Sequence, residues 1–242
     1  MINTTVDRAA LQLSATLLLA GQLLYVVVTL LHTGGEANHH TAIFAAYADS
    51  ATWTAVHVAQ FACVAVMLAG LIALFSAINI RTISARLAAQ LGATATTATL
   101  ALYGVVLAVD GVALKQAVNA WATAPDAEKA ARFAAAEALR WLEWGARSYE
   151  NFTMGLALLS AAVLVRTAMI SQPIAYVMGL SGVTYLAQGW LAGSEGFSPT
   201  HTVTIIAAEV LNLAWMISLL VVARRMHHSK ASVNIVSEGA RT

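Results

Sequence analysis

Hydrophobic and polar residues follow one another along this chain in long blocks. Six apolar blocks are each long enough for a helix of about 20 residues, the length that crosses the hydrocarbon of a bilayer. None alternates with the period of two that a barrel strand needs, and in lipid only a helix or a closed barrel satisfies its own backbone. The pattern predicts an all-α, polytopic membrane helical bundle, a single domain over 1–242. Its spans are expected at about 10–31, 52–78, 88–114, 148–170, 173–193 and 201–223.

Two connections carry local signals of structure. Residues 41–49 suit a short helix lying in the membrane interface, with Ile43, Phe44 and Tyr47 on its apolar side. Before span six, Ser198 is predicted to be the N-cap, because its hydroxyl can accept a hydrogen bond from a backbone amide of the first helical turn. These signals place ordered structure outside the spans.

A third connection is longer and helical in character. From Pro125 the charged and apolar pattern continues without a helix breaker, which predicts an amphipathic helix over about 125–146. This helix runs into span four, either straight or with a kink at Gly145. Glu143 and Arg147 are four residues apart on it and are predicted to form a structural ion pair.

Composition agrees with a membrane protein and excludes several function classes. Of the 242 residues, 59% are hydrophobic and 10% are charged, and the mean hydropathy is +0.71, whereas a soluble domain has roughly 25% charged residues. The net charge of +1 gives no basic patch for nucleic acid. Cys63, the single cysteine, cannot form an intrachain disulfide.

The distribution of Lys and Arg predicts the orientation. Basic residues concentrate on one side of the predicted spans, and by the positive-inside rule that side faces the cytoplasm. Only Asp7 and Glu238 accompany them there. Both termini, including a tail over 224–242, are therefore expected to be cytoplasmic. The basic residues on that side are Arg8, Arg81, Arg86, Arg166, Arg224, Arg225, Lys230 and Arg241.

Polar residues at membrane depth gather at the opposite, outward end of the spans. Burial of a charge in a membrane costs several kcal/mol, on the order of 3 or more, so a cluster on one side suggests a pocket. Positions three, four and seven apart share a helix face, and by this test most of these residues can face one another. They are Gln22, Tyr25, Thr29, His32, Trp53, His57, Gln60, Tyr103, Asp110, Arg147, Glu150, Asn151, Tyr185, Gln188, His201 and Glu209.

Two cofactors fit such a pocket, although the sequence has no spacing motif for either. His32, His57 and His201 are candidate ligands of a divalent transition metal, because imidazole is a usual ligand of zinc, iron and copper. His57 with His32 or with His201 is also a candidate pair of axial ligands for a b-type haem. A hydrogen-bonded boundary residue is the alternative interpretation for each histidine alone.

Acid and base chemistry is a further interpretation. Asp110, Glu150 and Glu209 are candidate catalytic groups or counter-charges, and a lipophilic small molecule entering from the lipid bilayer suits the aromatic surroundings. A membrane enzyme is favoured over a proton- or cation-coupled transporter, because polar residues thin out towards the cytoplasmic half. A structural or accessory subunit is the third alternative. Small-residue helix faces suit either packing within one bundle or a homo-oligomer.

The stretch from Leu31 to Gln60 resembles a family of small multi-pass proteins of bacteria, especially actinobacteria, that is defined only as a domain of unknown function. The similarity covers about one eighth of the chain. It implies a multi-pass protein of the bacterial inner membrane and supplies no activity, ligand or catalytic residue. The residues that carry it are His32, Gly34, Gly35, Asn38, Tyr47, Ala48, Ser50, Trp53, His57 and Gln60.

Overall fold

The computed structural model describes residues 4–80 and 82–239, and in this part the chain is almost entirely helical. Arg81 and Arg241, two of the basic residues used for the orientation, lie outside the described residues, as do the side chains of Lys230 and Glu238. The helices are α1 Arg8–Thr29, α2 His40–Asp49, α3 Trp53–Ala77, α4 Ile83–Ala108, a π-helical segment Val109–Leu114, α5 Lys115–Ala122, α6 Asp126–Thr167, α7 Gln172–Glu195 and α8 Pro199–Gly239.

Five helical stretches of the described chain are long and apolar enough to cross a membrane. They are α1, α3, α4 with its continuation to Ala122, α6, and α8 as far as Met226. This confirms the prediction of an all-α bundle with several helices able to span a membrane. The helix α7 has the length of a span but is not among the five, because its mixture of Gly, Ser, Thr and Gln lowers its hydropathy.

A short two-stranded sheet closes one end of the bundle. The strand β1, Thr4–Val6, pairs antiparallel with β2, Ile78–Ile80. Directly after β1, Asp7 caps α1, since its carboxylate accepts hydrogen bonds from Ala9 N and Ala10 N. These three-residue strands are an addition to the predicted all-α bundle, and β2 begins where α3 ends, at the last residue of the predicted second span.

The two ends of the bundle differ. The sheet end holds β1, β2, the start of α4 and the connection between α6 and α7. The other end, called the α2 end, holds α2, the connection 30–39 and the start of α8. At the sheet end the Arg8 guanidinium donates a hydrogen bond to Met226 O at 2.8 Å, which joins α1 to α8.

The interior near the sheet end is apolar, and small residues let its helices approach closely. A Cβ atom added at Gly182 would lie 2.9 Å from Gly155 O, and one added at Gly155 would lie 2.8 Å from Gly182 O. The α6 and α7 backbones therefore meet directly at these two glycines. Because α7 is continuous from Gln172 to Glu195, its glycines serve close packing and not a break in the helix.

Near the α2 end, the predicted amphipathic helix and span four form one helix, α6, which continues through Gly145 without a break. The predicted short helix exists as α2, and its apolar side packs against the protein. Ile43, Phe44 and Tyr47 are buried inside the protein against Leu114 of the π segment and its neighbours. The physical reason is that α5 and the first turns of α6 fold over α2 and cover its apolar side.

Candidate functional site

A cavity of about 930 Å³ opens inside the bundle at the α2 end. Its walls come from α1, α3, α4 with the π segment, α6, α7, α8 and the connection 30–39. On α3 the lining residues run from His57 to Met67, and beyond Met67 the buried residues are apolar, with Leu68 and Leu71 at most 1% exposed. The cavity therefore stops partway along the bundle. All six candidate site residues line it: His32, His57, His201, Asp110, Glu150 and Glu209.

His57 and Asp110 form a buried hydrogen-bonded pair in the cavity. His57 Nε2 lies 2.9 Å from Asp110 Oδ2, and His57 Nδ1 lies 2.7 Å from Trp53 O. A carbonyl oxygen can only accept, so Nδ1 carries a proton and donates it to Trp53 O. Nε2 is therefore the nitrogen that faces the carboxylate, and this carbonyl partner fixes the orientation that a metal-binding imidazole needs.

The π-helical segment brings Asp110 to His57. Its wider turn leaves carbonyl groups free for side chains of α3, and Trp53 Nε1 donates to Asp110 O at 2.9 Å while Thr54 Oγ1 donates to Gly111 O at 2.9 Å. The approach is so close that a Cβ atom at Gly111 would lie 2.6 Å from His57 Cβ. Local π-helical turns are frequent at functional sites, and this one carries a buried carboxylate.

His32 joins this pair from the connection after α1. Its ring centroid is 5.0 Å from that of His57 and 4.8 Å from that of Trp53. Burial, and next the neighbouring His57, lower the pKa of the His32 imidazole below its ordinary value, so the ring is neutral near pH 7. One ligand atom each from His32, His57 and Asp110 lies within 4.8 Å of the others.

This cluster suits a compact ion better than haem. One metal ion can contact three atoms that are this close together, and Asp110 Oδ1 has no hydrogen-bond partner among the described residues. A porphyrin would have to enter between the rings of His32 and His57, which already contact each other. The sequence grouped His201 with these two histidines, but the structure places Asp110 in the cluster and His201 outside it.

The predicted ion pair between Glu143 and Arg147 was wrong. Arg140 Nη1 donates to Glu143 Oε2 at 2.7 Å, and Arg147 Nη1 pairs with Glu150 Oε2 at 3.4 Å. On a helix an acid can reach a base three or four residues away, so spacing alone does not select the partner. Each arginine here pairs with the glutamate that follows it by three residues.

Arg140 is held among aromatic rings as well as by Glu143. Its guanidinium carbon lies 4.6 Å from the Phe197 ring centroid, and Nη2 lies 3.3 Å from the Tyr47 hydroxyl. Burial raises the pKa of the Tyr47 phenol to about 12, although Arg140 acts in the opposite direction. The phenol is therefore neutral at physiological pH. Arg140 is a site residue that the sequence reasoning missed, although its spacing of three from Glu143 was a usable signal.

The remaining acidic candidate, Glu209 of α8, lies apart from the His57 and Asp110 pair. Its carboxylate accepts a short hydrogen bond from the Gln22 side chain of α1. This bond joins two helices whose exposed residues also line the cavity, namely Thr29 on α1 with Thr202 and Ile205 on α8. The cavity lining therefore includes exposed residues of both α1 and α8, between which we place its entrance.

Two buried polar side chains of the cavity lining, one on α6 and one on α8, have polar atoms with no partner among the described residues. His201 is 2% exposed and neither of its ring nitrogens has a hydrogen bond, and Asn151 is 3% exposed with an unpaired Nδ2. The backbone of His201 is fixed, since its N–H donates to Ser198 Oγ at 3.2 Å. The predicted N-cap at Ser198 is thereby confirmed, and α8 begins at Pro199.

The connection 30–39 covers the cavity and is tied to the far side of the bundle. Asn38 Nδ2 donates to Glu195 O at 2.9 Å, and Asn38 Oδ1 accepts from Phe197 N at 3.0 Å. The side-chain amide of Asn38 thus links the first connection to the turn between α7 and α8.

Comparison with known proteins adds no assignment. No family model matches the chain, and no curated protein or solved structure matches it. The resemblance of residues 31–60 to an uncharacterised bacterial family stays a prediction. The site has to be interpreted from its own geometry.

Proposed function

We propose that this protein is a membrane metalloenzyme that binds one divalent transition-metal ion through His32, His57 and Asp110 and acts on a lipophilic molecule in the adjoining cavity. The observation that carries the proposal is the convergence of three ligand atoms within 4.8 Å. Two of the three side chains are already oriented, because Trp53 O fixes the His57 ring and His57 in turn contacts Asp110.

The charge of the cavity supports a cation. Apart from the exposed Glu36, the lining residues include four carboxyl groups and two guanidinium groups. Metal binding would displace the proton between His57 and Asp110 and leave an excess of two formal negative charges on the walls, which a divalent ion would balance. The acids are Asp110, Glu143, Glu150 and Glu209, and the bases are Arg140 and Arg147.

Three protein ligands suit a catalytic metal better than a structural one. Catalytic zinc sites keep a coordination position for water or substrate, whereas structural sites fill all four with side chains. A metal ion held here would supply Lewis-acid polarisation or an activated water. His57 and Asp110 would hold it from the wall, and His32 would approach from the connection above them.

The closed lower end of the cavity favours an enzyme over a carrier. Polar lining residues end near Met67 and Met154, and the apolar core with Leu71 and Leu158, each 1% exposed, lies below them. A transporter would need a polar path onward to the sheet end. The opening between α1 and α8 instead suits a substrate that arrives from the bilayer.

We further propose six spans, with α7 as the sixth, and a cytoplasmic sheet end in a bacterial inner membrane. The 24 residues of α7 extend about 36 Å at 1.5 Å per residue, enough to cross hydrocarbon about 30 Å thick. Arg8, Arg86 and Arg166 all belong to helix ends at the sheet end, as the positive-inside rule requires of a cytoplasmic face.

Cysteine labelling tests this topology. In a Cys63→Ser background, we expect Ala51→Cys at the α2 end to react with an impermeant maleimide in spheroplasts, and Met169→Cys to react only after permeabilisation. Met169 is 87% exposed and lies between α6 and α7, and Ala51 is exposed before α3. Labelling of both cysteines from the same side would contradict the proposed orientation and the crossing of the membrane by α3, α4 and α6.

Metal titration tests the proposed function. Protein stripped with EDTA and kept in nanodiscs is expected to bind one Co²⁺ per chain, with the visible absorption of a site containing nitrogen and oxygen ligands. We expect His32→Ala to weaken this binding by roughly tenfold or more, because it removes one of three protein ligands. His39→Ala is the matched control, since His39 lies on the same connection outside the cluster. Equal Co²⁺ affinity in His32→Ala and in the unchanged protein would exclude the site.

A further inference from the structure

The cavity has a second polar wall that the proposed metal site does not use. It is formed by Asn151 and Arg147 of α6 and by His201 of α8. Arg147 and Asn151 are four residues apart and so lie on one face of α6. On this wall the ring nitrogens of His201 and Nδ2 of Asn151 have no hydrogen-bond partner among the described residues.

Unpaired polar groups inside a protein are costly. Each buried donor or acceptor without a partner costs on the order of 1–3 kcal/mol, so a native structure retains such groups where a ligand or a water completes them. Both His201 and Asn151 are at least 97% buried and line the cavity. Their free atoms include the amide Nδ2 of Asn151, which can only donate.

The charge of this wall decides what kind of partner it fits. The Arg147 guanidinium pairs with Glu150 at 3.4 Å and lies 5.1 Å from the Tyr103 ring centroid. The pair of Arg147 and Glu150 is neutral as a whole, so this wall offers N–H donors without net positive charge. A neutral oxygen acceptor such as a carbonyl group therefore fits better than a carboxylate, which would add a further negative charge to the cavity.

The rest of the cavity fits an apolar chain attached to that oxygen. Val64, Met67 and Met154 form apolar lining at its lower end, and Ile205 borders the opening between α1 and α8. Ile205 lies one turn after His201 and is 38% exposed. A molecule entering from the bilayer at this opening would pass Ile205 before reaching the donors.

We infer that Asn151 and His201 form a subsite that binds the carbonyl oxygen of a neutral lipophilic molecule, such as a ketone or an ester. Asn151 Nδ2 donates to the oxygen, and a protonated ring nitrogen of His201 donates from the other helix. Phe197 stacks on the His201 ring at a centroid distance of 5.4 Å and holds it against rotation. The inference deepens the proposed function, on which any reaction of the carbonyl compound rests, but binding at this wall does not require the metal.

Infrared spectroscopy of a labelled ketone tests the subsite directly. Nanodiscs carrying the EDTA-treated protein are titrated with 2-dodecanone labelled with ¹³C at the carbonyl. A hydrogen-bonded carbonyl absorbs at lower frequency than one dissolved in lipid, so we expect a shifted band that saturates at one ketone per chain. Absence of a saturable shifted band would show that Asn151 and His201 form hydrogen bonds only with water, and this would overturn the inference.

Two variants and a control separate binding from folding. Asn151→Leu and His201→Leu are each expected to weaken ketone binding roughly tenfold, the effect of losing one buried hydrogen bond. Both variants should keep the thermal stability of the parent, because an unpaired polar group gives way to an apolar one. Asn119→Leu, on α5 and outside the cavity lining, is expected to leave the shifted band unchanged. An undiminished band in both cavity variants would refute the subsite.

A competing anion distinguishes the class of ligand. Dodecanoate is expected to displace the ketone at least about tenfold less effectively than unlabelled 2-dodecanone, since an anion meets the excess of carboxylates at close range. Stronger displacement by dodecanoate would overturn the assignment to a neutral carbonyl. The ketone titration is done without metal, so the two proposals can fail separately. A shifted ketone band without Co²⁺ binding would refute the metal site alone. Co²⁺ binding without a shifted ketone band would refute the carbonyl subsite alone.

Discussion

Replacing Arg140 with methionine is expected to destabilise the protein by about 3–5 kcal/mol, the cost of leaving a buried charge without its partner. Arg140 is 2% exposed and Glu143 is 1% exposed, and their side chains are 2.7 Å apart. Methionine keeps most of the side-chain volume of Arg140 and removes its charge. The loss of stability therefore measures the cost of leaving the Glu143 carboxylate buried without a partner. Thermal unfolding of the protein in nanodiscs or mild detergent measures it.

Two comparisons make this result specific. The double variant Arg140→Met with Glu143→Gln is expected to recover much of the lost stability, because no uncompensated carboxylate remains. Arg132→Met breaks the pair with Glu128 on the same helix, where both side chains are 53% exposed, and is expected to cost about 0.5 kcal/mol or less. Equal losses in Arg140→Met and Arg132→Met would contradict a buried ion pair at the cavity.

Replacing Gly111 with alanine is expected to weaken Co²⁺ binding by roughly a hundredfold or more, because it moves two of the three proposed metal ligands at once. The new Cβ would lie 2.6 Å from His57 Cβ and 3.0 Å from His57 Cγ, too close for either to stay in place. Asp110 is the preceding residue, so relief of the clash moves its carboxylate away from His57. Co²⁺ titration followed by visible absorption measures the loss.

A second glycine on the preceding turns of α4 provides the matched control. A Cβ at Gly104 would lie 3.5 Å from the Phe61 ring, an ordinary van der Waals contact. Gly104→Ala should therefore retain Co²⁺ affinity and gain up to about 1 kcal/mol from helix propensity. Overpacking at Gly111 is expected to cost about 1–3 kcal/mol instead. If Gly111→Ala binds Co²⁺ as Gly104→Ala does, the close approach of α3 to the π segment does not hold the cluster.

The lengths of the apolar blocks predict the long helices. In lipid, as in a protein core, the backbone N–H and C=O groups of a segment have no water to bond to, and a helix pairs them with one another. Helical spacing also indicates which polar residues share a face, and the structure has Gln22, Tyr25 and Thr29 of α1 in the cavity lining. These are properties of one helix at a time. They need no knowledge of its neighbours.

Features that depend on two elements together were beyond the sequence. The π segment is stabilised by Trp53 and Thr54, which donate hydrogen bonds to its carbonyl groups from another helix. The sequence around Asp110 therefore contains no local signal for a π-helical turn. The burial of Phe44 likewise depends on α5 and α6 folding over α2. The choice of Glu143 as the partner of Arg140 rests on the surrounding aromatic rings as much as on spacing.

The antiparallel pairing of β1 with β2 has a mechanical consequence for the opposite end of the molecule. It fastens the start of α1 to the end of α3, and the bond from Arg8 to Met226 O fastens α1 to α8 at the same level. Because α1 is held at its sheet end, its other end has more freedom to move. Widening of the gap between α1 and α8 would therefore rotate α1 about its sheet end and break the hydrogen bond from Gln22 to Glu209, with the largest displacement at Thr29, beside the entrance.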